Sequence, residues 1–295
     1  MRDNRKGILM TAALAGFLLT ASAATIGQAR PLDVLPSSND GPETSAVDTS
    51  APVQTPAAAP AASASTASED WHTDIMGYLW FPGVHGNVNA LDQNVGYKAS
   101  PSDVLSHVDF GLMGAVAARY KRVVMTADFL WITLSDTKTR VFALPNAPQL
   151  SAELKTRPVI FTPKIGYRLI DHPRIKIDGL TGFRFWHLGT TLSLTPNLLG
   201  TNPYVSNNWV DPLVGGRIEI PLSPKLTATI AGDVGGWGVG SQMDYQIIPM
   251  LTYRIKPKLA LDAAWRYLYI NYKKTNFTNE LAQSGLALGV TYSIN

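Results

Sequence analysis

The sequence has no cysteine among its 295 residues. Disulfides and cysteine-linked lipid anchors are therefore excluded, which fits an exported protein that folds without cross-links. After residue 23 the chain also lacks an apolar run of the ~20 residues that a membrane-spanning helix needs. These two absences exclude a disulfide-bonded scaffold, a lipoprotein and a multi-helix membrane protein.

Metal and phosphate chemistry has little support in the sequence. The five histidines are scattered, and no two have ligand spacing on one strand (His72, His85, His107, His172 and His187). The Gly-rich segment 232–240 lacks the following helix and the lysine of a phosphate-binding loop. Glycines at a strand end more often permit a kink. The sequence predicts no metal site and no cofactor.

The N-terminus has the pattern of a secretory signal. Arg2, Arg5 and Lys6 precede an apolar run at 8–19, and small residues at 21–23 form a cleavage site. We predict a cleaved signal peptide at 1–23. The alternative, a retained anchor, requires a longer apolar run than this one.

Residues 24–70 are rich in Pro, Ala, Ser and Thr and are acidic, with one basic residue against six acidic ones. Such a composition buries too little apolar surface to offset the entropy of ordering the chain. We predict a disordered linker, either a simple spacer or a periplasmic tether.

The remaining residues, 71–295, carry 21 basic and 15 acidic side chains. Several basic residues lie at short turns, where they would meet anionic lipid head groups rather than nucleic acid. We therefore expect outer-membrane lipid as a partner, and no nucleic acid.

The last fifty residues alternate in character with a period of two. Trp265, Tyr267 and Tyr269 share one face of an extended chain, while Asp262 and Arg266 fall on the other. This pattern is typical of strands in bacterial transmembrane β-barrels. We predict an all-β, closed antiparallel barrel over residues 71–295.

Short turns and long polar connections alternate along this barrel region. The turns lie at 120–122, 171–174, 221–224 and 256–258, and the connections at 136–152, 195–208, 235–242 and 273–283. Outer-membrane barrels have short periplasmic turns and longer external loops. If the last strand ends in the periplasm, residues 71–101 hold one or three strands. Breaks at 81–83 and 92–94 favour three, which predicts twelve strands, with ten as the alternative.

A short helix is predicted just after these first strands. Ser100 can cap it and Pro101 suits its first position. We expect this helical turn to lie in an outer loop.

Short motifs occur at 113–114, 128, 166–169, 209–217, 232–240 and 265–268, of which the two Gly-rich ones are the most specific. Together they resemble a group of proteobacterial outer-membrane β-barrel proteins without assigned activity, over residues 71–292. The resemblance implies the barrel fold and no particular chemistry.

Alternation also assigns side chains to the lumen or to lipid. A charge facing lipid at the bilayer midplane costs about 2–4 kcal/mol, so the charged faces must point inward. The predicted lumen network is Asp128, Lys164, Asp178, Arg184, Asp211, Arg217, Asp233, Asp262 and Arg266. The predicted lipid-facing aromatics are Phe183, Phe185, Tyr245, Tyr253, Trp265, Tyr267, Tyr269 and Tyr292.

The mixed signs of the lumen charges favour a structural or narrow-channel barrel partly filled by paired charges. A surface-exposed barrel that binds through its outer loops is the first alternative. A lipid-modifying enzyme built around His187 ranks last, because no third orienting group accompanies a base and a nucleophile. We expect no enzymatic activity and a partner in the barrel-assembly machinery. The oligomeric state stays open.

The N-terminal pattern generates the first testable prediction. Mature protein should begin at or near Ala24, because the small residues at 21–23 suit signal peptidase. N-terminal sequencing of membrane-inserted protein measures this directly. A mature chain that keeps Met1 would contradict it.

Overall fold

The computed structural model describes residues 71–90, 93–140, 150–195, 202, 204–274 and 277–294. The predicted signal peptide at 1–23 and the predicted linker at 24–70 lie outside the described residues.

Within these residues the chain forms eleven strands and one short helix. The strands are β1 (Trp71–Ala90), β2 (Gln93–Ala99), β3 (Val108–Tyr120), β4 (Val123–Arg140), β5 (Leu150–His172), β6 (Ile175–Thr195), β7 (Tyr204–Pro221), β8 (Leu226–Gly236), β9 (Met243–Lys256), β10 (Leu259–Lys274) and β11 (Phe277–Ser293). The helix, α1, spans Pro101–Leu105. In the described part of the chain, no helix is both long and apolar enough to cross a membrane.

The sheet closes on itself. Each strand from β3 to β11 pairs antiparallel with its neighbour in sequence, and β11 pairs antiparallel with β1 from Asp74↔Ser293 to Ala90↔Phe277. Closure between β11 and β1 pairs the backbone groups that lipid cannot satisfy. The all-β closed antiparallel barrel is confirmed.

The barrel wall has ten strand positions, because β2 and β3 share one. β1 pairs with β2 over Val84–Ala90 and with β3 over Trp71–Gly77. Both partners run the same way, so they form one wall strand interrupted by α1. The prediction of twelve strands is wrong, and its alternative of ten is confirmed.

The predicted strand count differs from the structure at Pro82, where the sequence predicts a strand break. β1 instead runs straight through it, paired with β11 at Pro82↔Gly285. Residues 78–83 have no ladder partner on the opposite side, between the β2 and β3 segments. Proline has no N–H to donate to a ladder, so a strand tolerates it where one side of the strand is unpaired.

α1 has the Ser100 cap that the sequence predicts, and Asp103 completes a capping box. The Ser100 side chain accepts a hydrogen bond from the Asp103 amide, the Asp103 carboxylate accepts one from the Ser100 amide, and Pro101 occupies the first turn. The helix interrupts a wall strand, however, and is not part of a free loop. Its buried Val104 packs towards the lumen.

The short turns lie where the alternation predicts, at 121–122, 173–174, 222–225 and 257–258, and we call this rim the turn end. The opposite rim, the loop end, differs from the prediction. β4 continues to Arg140, and β10 and β11 leave only 275–276 between them. Residues expected in connections therefore extend the wall as paired strand, because polar side chains do not prevent a ladder from continuing outside lipid.

The β8–β9 connection is the exception, since it ends at the predicted place. Gly236 and Gly238 adopt φ of +89° and +80°, in the left-handed region that favours glycine. This Gly-rich segment folds the chain back tightly, so that the buried Ser241 amide donates to Asp211 over 2.6 Å.

The outer surface of the wall carries a belt of exposed apolar side chains. Its members include Leu79, Leu112, Val116, Ile165, Val214, Ile230, Ile247, Leu251, Leu261, Leu288 and Val290. A lipid-facing surface requires such a belt. β5 has 23 residues, whereas crossing a bilayer takes about 9–11, so the wall extends well beyond the membrane.

The topology predicts a labelling pattern in a chain with no native thiol. Asn202→Cys, at the loop end, should react with a membrane-impermeant maleimide on whole cells, and Ser223→Cys, at the turn end, should not. Ser223→Cys should react once the cells are permeabilised. Labelling of Ser223→Cys alone on intact cells would invert the assigned orientation.

Candidate functional site in the barrel lumen

The lumen is layered from the turn end to the loop end. Alternation turns one side chain in two inward, and the inward set is charged in the lower and middle lumen but apolar above it. We call these layers the turn-end cluster (Arg168, Asp178, Arg217, Glu219), the middle lattice (Asp128, Lys164, Arg184, Asp233, Asp244, Arg266) and the loop-end cavity, whose lining is given below.

The turn-end cluster is centred on Asp178, which is buried. Arg168 donates to it through Nε at 2.8 Å, and Arg217 through Nη2 at 2.8 Å. Glu219 lies 3.2 Å from Arg217 and 3.8 Å from Arg168. Because Arg168, Asp178 and Arg217 lie on three adjacent strands, this cluster braces the wall without crossing the lumen.

The middle lattice, in contrast, crosses the lumen. The Arg184 side chain, fully buried on β6, bonds Asp244 on β9 and donates to Asp233 on β8 over 2.8 Å. Lys164 on β5 reaches the same Asp233 over 2.7 Å. The Arg184 Nε also donates to the Thr162 hydroxyl, at 3.2 Å. These contacts link strands up to three positions apart around a ten-position wall.

A second cross-lumen pair lies beside the first. Arg266 on β10 donates to Asp128 on β4 over 3.1 Å and to the Tyr78 hydroxyl over 2.9 Å. Tyr78 in turn donates to Asp128 over 2.7 Å, which closes a triangle. The guanidinium also lies 4.9 Å from the centre of the Trp80 ring, within cation–π range.

Two of the predicted lumen residues have uncharged partners. Asp211 accepts hydrogen bonds from the Trp209 indole and the Ser241 amide. Asp262 accepts them from the Thr252 and Thr291 hydroxyls, both at 2.6 Å. Both carboxylates are buried, and these neutral donors satisfy them without a cation.

The predicted network omits Asp244 and Arg168, and it omits Tyr78, whose hydroxyl contacts Asp128 and Arg266. Asp244 shares an inward face with Gln246 opposite Tyr245 and Ile247, so period-two alternation could have found it. Arg168 likewise follows Lys164 and Gly166 on one face. Tyr78 carried no signal, because a tyrosine on an alternating strand suits either face.

The loop-end cavity lies directly above the middle lattice. It has a volume of about 190 Å³ and is lined mainly by apolar and aromatic side chains, among them Trp80, Leu130, Ile132, Ile160, Trp186, Trp209, Ile270 and Tyr272. The rings of Trp186 and Trp209 stack at 5.5 Å, and Trp209 lies 4.5 Å from Tyr272. Trp186 donates to Asp244 below it, so the aromatic layer is hydrogen-bonded to the lattice.

The predicted lipid-facing aromatics occupy the outer surface to different extents. Phe183, Tyr253, Trp265 and Tyr292 are exposed, and Phe185 is half-buried. Tyr245 packs against Tyr267 and Tyr269 at 5.8 and 5.0 Å, so these three form one aromatic patch on adjacent strands.

Among the described residues, His187 is the one histidine beside the loop-end cavity. It alternates with the inward Trp186 and Leu188, and its Nδ1 lies 2.6 Å from the Asn208 side-chain oxygen. Its neighbour is thus an amide and not the carboxylate that commonly orients a catalytic histidine. Among the described residues, no group of three or more His, Asp or Glu could hold a metal ion.

No protein-family model and no curated protein matches the chain. The solved structures to which it is similar are proteobacterial outer-membrane β-barrels. The outer membrane protease OmpT from Escherichia coli has a TM-score of 0.49 at 10% identity, covering 77% of this chain and 98% of that one. Neisserial surface protein A has a TM-score of 0.30 at 13% identity, covering 76% of this chain and 97% of that one. The attachment invasion locus protein Ail of Yersinia pestis has a TM-score of 0.29 at 14% identity, covering 77% of this chain and 99% of that one. Identities of this order carry no information about activity, so function must be argued from this chain's own residues.

The Arg266 triangle generates a stability prediction. Arg266→Ala leaves Asp128 in the lumen without its cation, which should lower the free energy of unfolding by about 3 kcal/mol. Urea unfolding of protein refolded into lipid vesicles measures it. Arg254→Ala, at an exposed arginine, is the matched control and should change little. Equal effects of the two substitutions would contradict a structural role for the triangle.

Proposed function

We propose that this chain is an integral outer-membrane barrel whose lumen is closed to ions, a structural barrel rather than a general diffusion pore. The observation that carries the proposal is the middle lattice. Arg184 bonds acidic partners two and three strand positions away, and Arg266 bonds one four positions away. In a ring of ten positions, five is the full diameter, so these pairs lie across the path an ion would take.

The pairing of the lattice supports closure because its charges are engaged with one another. Asp233 accepts from Lys164, Arg184 and Gln246, which occupy its oxygen atoms. A permeating ion would have to break these hydrogen bonds, and an unpaired charge in a dry lumen is strongly unfavourable.

An apolar layer adds a second barrier on the loop-end side. Leu130, Ile160, Trp186, Leu268 and Ile270 form one buried cluster. An apolar layer opposes ion passage because its side chains offer nothing to replace the hydration of the ion. An ion entering from the loop end would lose its hydration shell before it reached any charge.

A surface-binding role through the loop end is the second candidate. The specific observation in its favour is strand length: β5 has 23 residues and β6 has 21, more than a bilayer crossing uses. Orientation with this rim outward would present a rigid polar wall to the medium. This role is compatible with a closed lumen.

The proposal assigns no catalysis to the barrel. His187 contacts the side-chain amide of Asn208, and the carboxylates described in the lumen are engaged in ion pairs or hydrogen bonds. Lipid remains the expected partner of the apolar belt, with the barrel-assembly machinery acting during insertion.

Planar-bilayer recording tests closure. Wild-type protein should show no steady single-channel current, because the two cross-lumen sets are complete. Arg184→Ala combined with Arg266→Ala removes both crossing side chains and should admit small, flickering currents. Arg254→Ala should stay silent, since this side chain is exposed.

Large, steady currents from the wild-type protein would overturn the closed-lumen proposal and identify a pore. Heat-modifiable gel migration should accompany each recording, so that only folded barrels are compared. Hydrolysis of phospholipid or lipid A by the wild-type protein, lost in His187→Ala, would overturn the non-enzymatic assignment.

A further inference from the structure

Three residues that line the loop-end cavity have a buried polar atom with no hydrogen-bond partner. The atoms are the Trp80 indole Nε1, the Thr156 hydroxyl and the Gln283 side-chain oxygen. Trp80 and Thr156 are each only 3% exposed. A buried polar group that makes no hydrogen bond is costly, and native structures rarely leave one without a reason.

These atoms come from two separate parts of the cavity wall. Trp80 is on β1 and Gln283 is on the adjacent β11, whereas Thr156 is on β5, three wall positions from β1. Their chemistry is complementary: an indole N–H only donates, an amide oxygen only accepts, and a hydroxyl does both. A molecule in the cavity could therefore accept from Trp80 or donate to Gln283 on one part of the wall, and it could meet the Thr156 hydroxyl on the other.

The rest of the lining defines what else the occupant must be. Among the described residues no Lys, Arg, Asp or Glu lines the cavity, and the surrounding side chains are mainly aliphatic and aromatic. The one histidine in this lining, His187, has its Nδ1 2.6 Å from the Asn208 side-chain oxygen. A charged molecule would lose its hydration without gaining a partner of opposite charge. The occupant must be uncharged and mostly apolar.

Its size follows from the volume. The cavity measures about 190 Å³, and an engineered protein cavity of about 150 Å³ accepts benzene. A single six-membered ring with one small substituent, or an aliphatic chain of similar bulk, matches this space.

We propose that the loop-end cavity is a binding site for a small, uncharged, hydroxyl-bearing apolar molecule such as a monocyclic phenol or an alcohol of similar size. The hydroxyl accepts from Trp80 or donates to Gln283, and the apolar body packs among Leu130, Ile132 and Ile160. The middle lattice beneath forms the floor of the site. Binding here requires no passage through the lumen, so it goes beyond the closed-barrel proposal.

Isothermal titration calorimetry on the full folded barrel in detergent micelles tests the site, with empty micelles as the blank. The probes are phenol, toluene, which lacks the hydroxyl, and benzoate, which adds a charge. Phenol should bind saturably, toluene about tenfold more weakly, and benzoate not at all. This order follows from the unpartnered polar atoms and the uncharged lining.

Two conservative variants locate the binding. Trp80→Phe keeps an aromatic ring but removes the N–H, and Thr156→Val keeps the shape but removes the hydroxyl. At least one should weaken phenol binding about tenfold while leaving toluene unchanged. Trp265→Phe is the matched control, because this tryptophan is exposed on the outer surface and donates to Ser284 there.

The proposal is overturned if phenol does not bind above the micelle blank, if phenol and toluene bind equally, or if Trp265→Phe weakens phenol as much as the cavity variants do. If gel migration shows that Trp80→Phe does not fold, Thr156→Val and the affinity order of phenol, toluene and benzoate still test the proposed site. Silent bilayers with saturable phenol binding support both proposals. Conducting bilayers without binding would defeat both, and the mixed outcomes separate them.

Discussion

The pairing of the buried Arg184 guanidinium is the interaction on which the rest of the lumen depends. A closed barrel must place half of its strand side chains inside, and a cation there loses its water. Three strands supply its compensation: Thr162 from β5, Asp233 from β8 and Asp244 from β9. Removing either carboxylate would leave the guanidinium charge without a partner in a low dielectric. With Lys164, which is also on β5, the pairing therefore constrains the residue types on four strands at once: β5, β6, β8 and β9.

The division of the lumen into polar and apolar layers follows from the same constraint. Below the lattice, Asp178 is shared between Arg168 and Arg217 on neighbouring strands, which needs no contact across the barrel. Above it, the Trp186 and Trp209 indoles direct their N–H groups at Asp244 and Asp211, and their rings face an apolar space. Each tryptophan thus has one polar and one apolar surface, and the pair forms the boundary between the layers.

Much of this architecture follows from local patterns. Period-two alternation assigned Asp178, Arg184, Arg217, Asp233 and Arg266 to one side of their strands. Four of them lie buried inside, and Arg217 is half-buried. The strand count failed at Pro82, because whether a proline breaks a strand depends on whether its missing N–H faced a partner. That answer lies in the β1–β2 and β1–β3 pairings, which involve residues far along the chain. The predicted length of the loop-end connections was wrong for the same reason. β10 and β11 stay paired as far as Lys274 and Phe277, although the residues in this part of the strands are polar.

By itself, the sequence determined the strand type, the antiparallel order and which side chains share a face, since these depend on alternation and on turns between adjacent residues. Only the tertiary structure decided which inward charges meet. Asp262 and Arg266 share a face of β10, yet Asp262 bonds Thr252 and Thr291 while Arg266 reaches across to Asp128 on β4. The cavity is likewise a property of closure, because its walls come from strands that no local pattern relates. Distances across a lumen are set by strand number and stagger, which neither composition nor periodicity encodes.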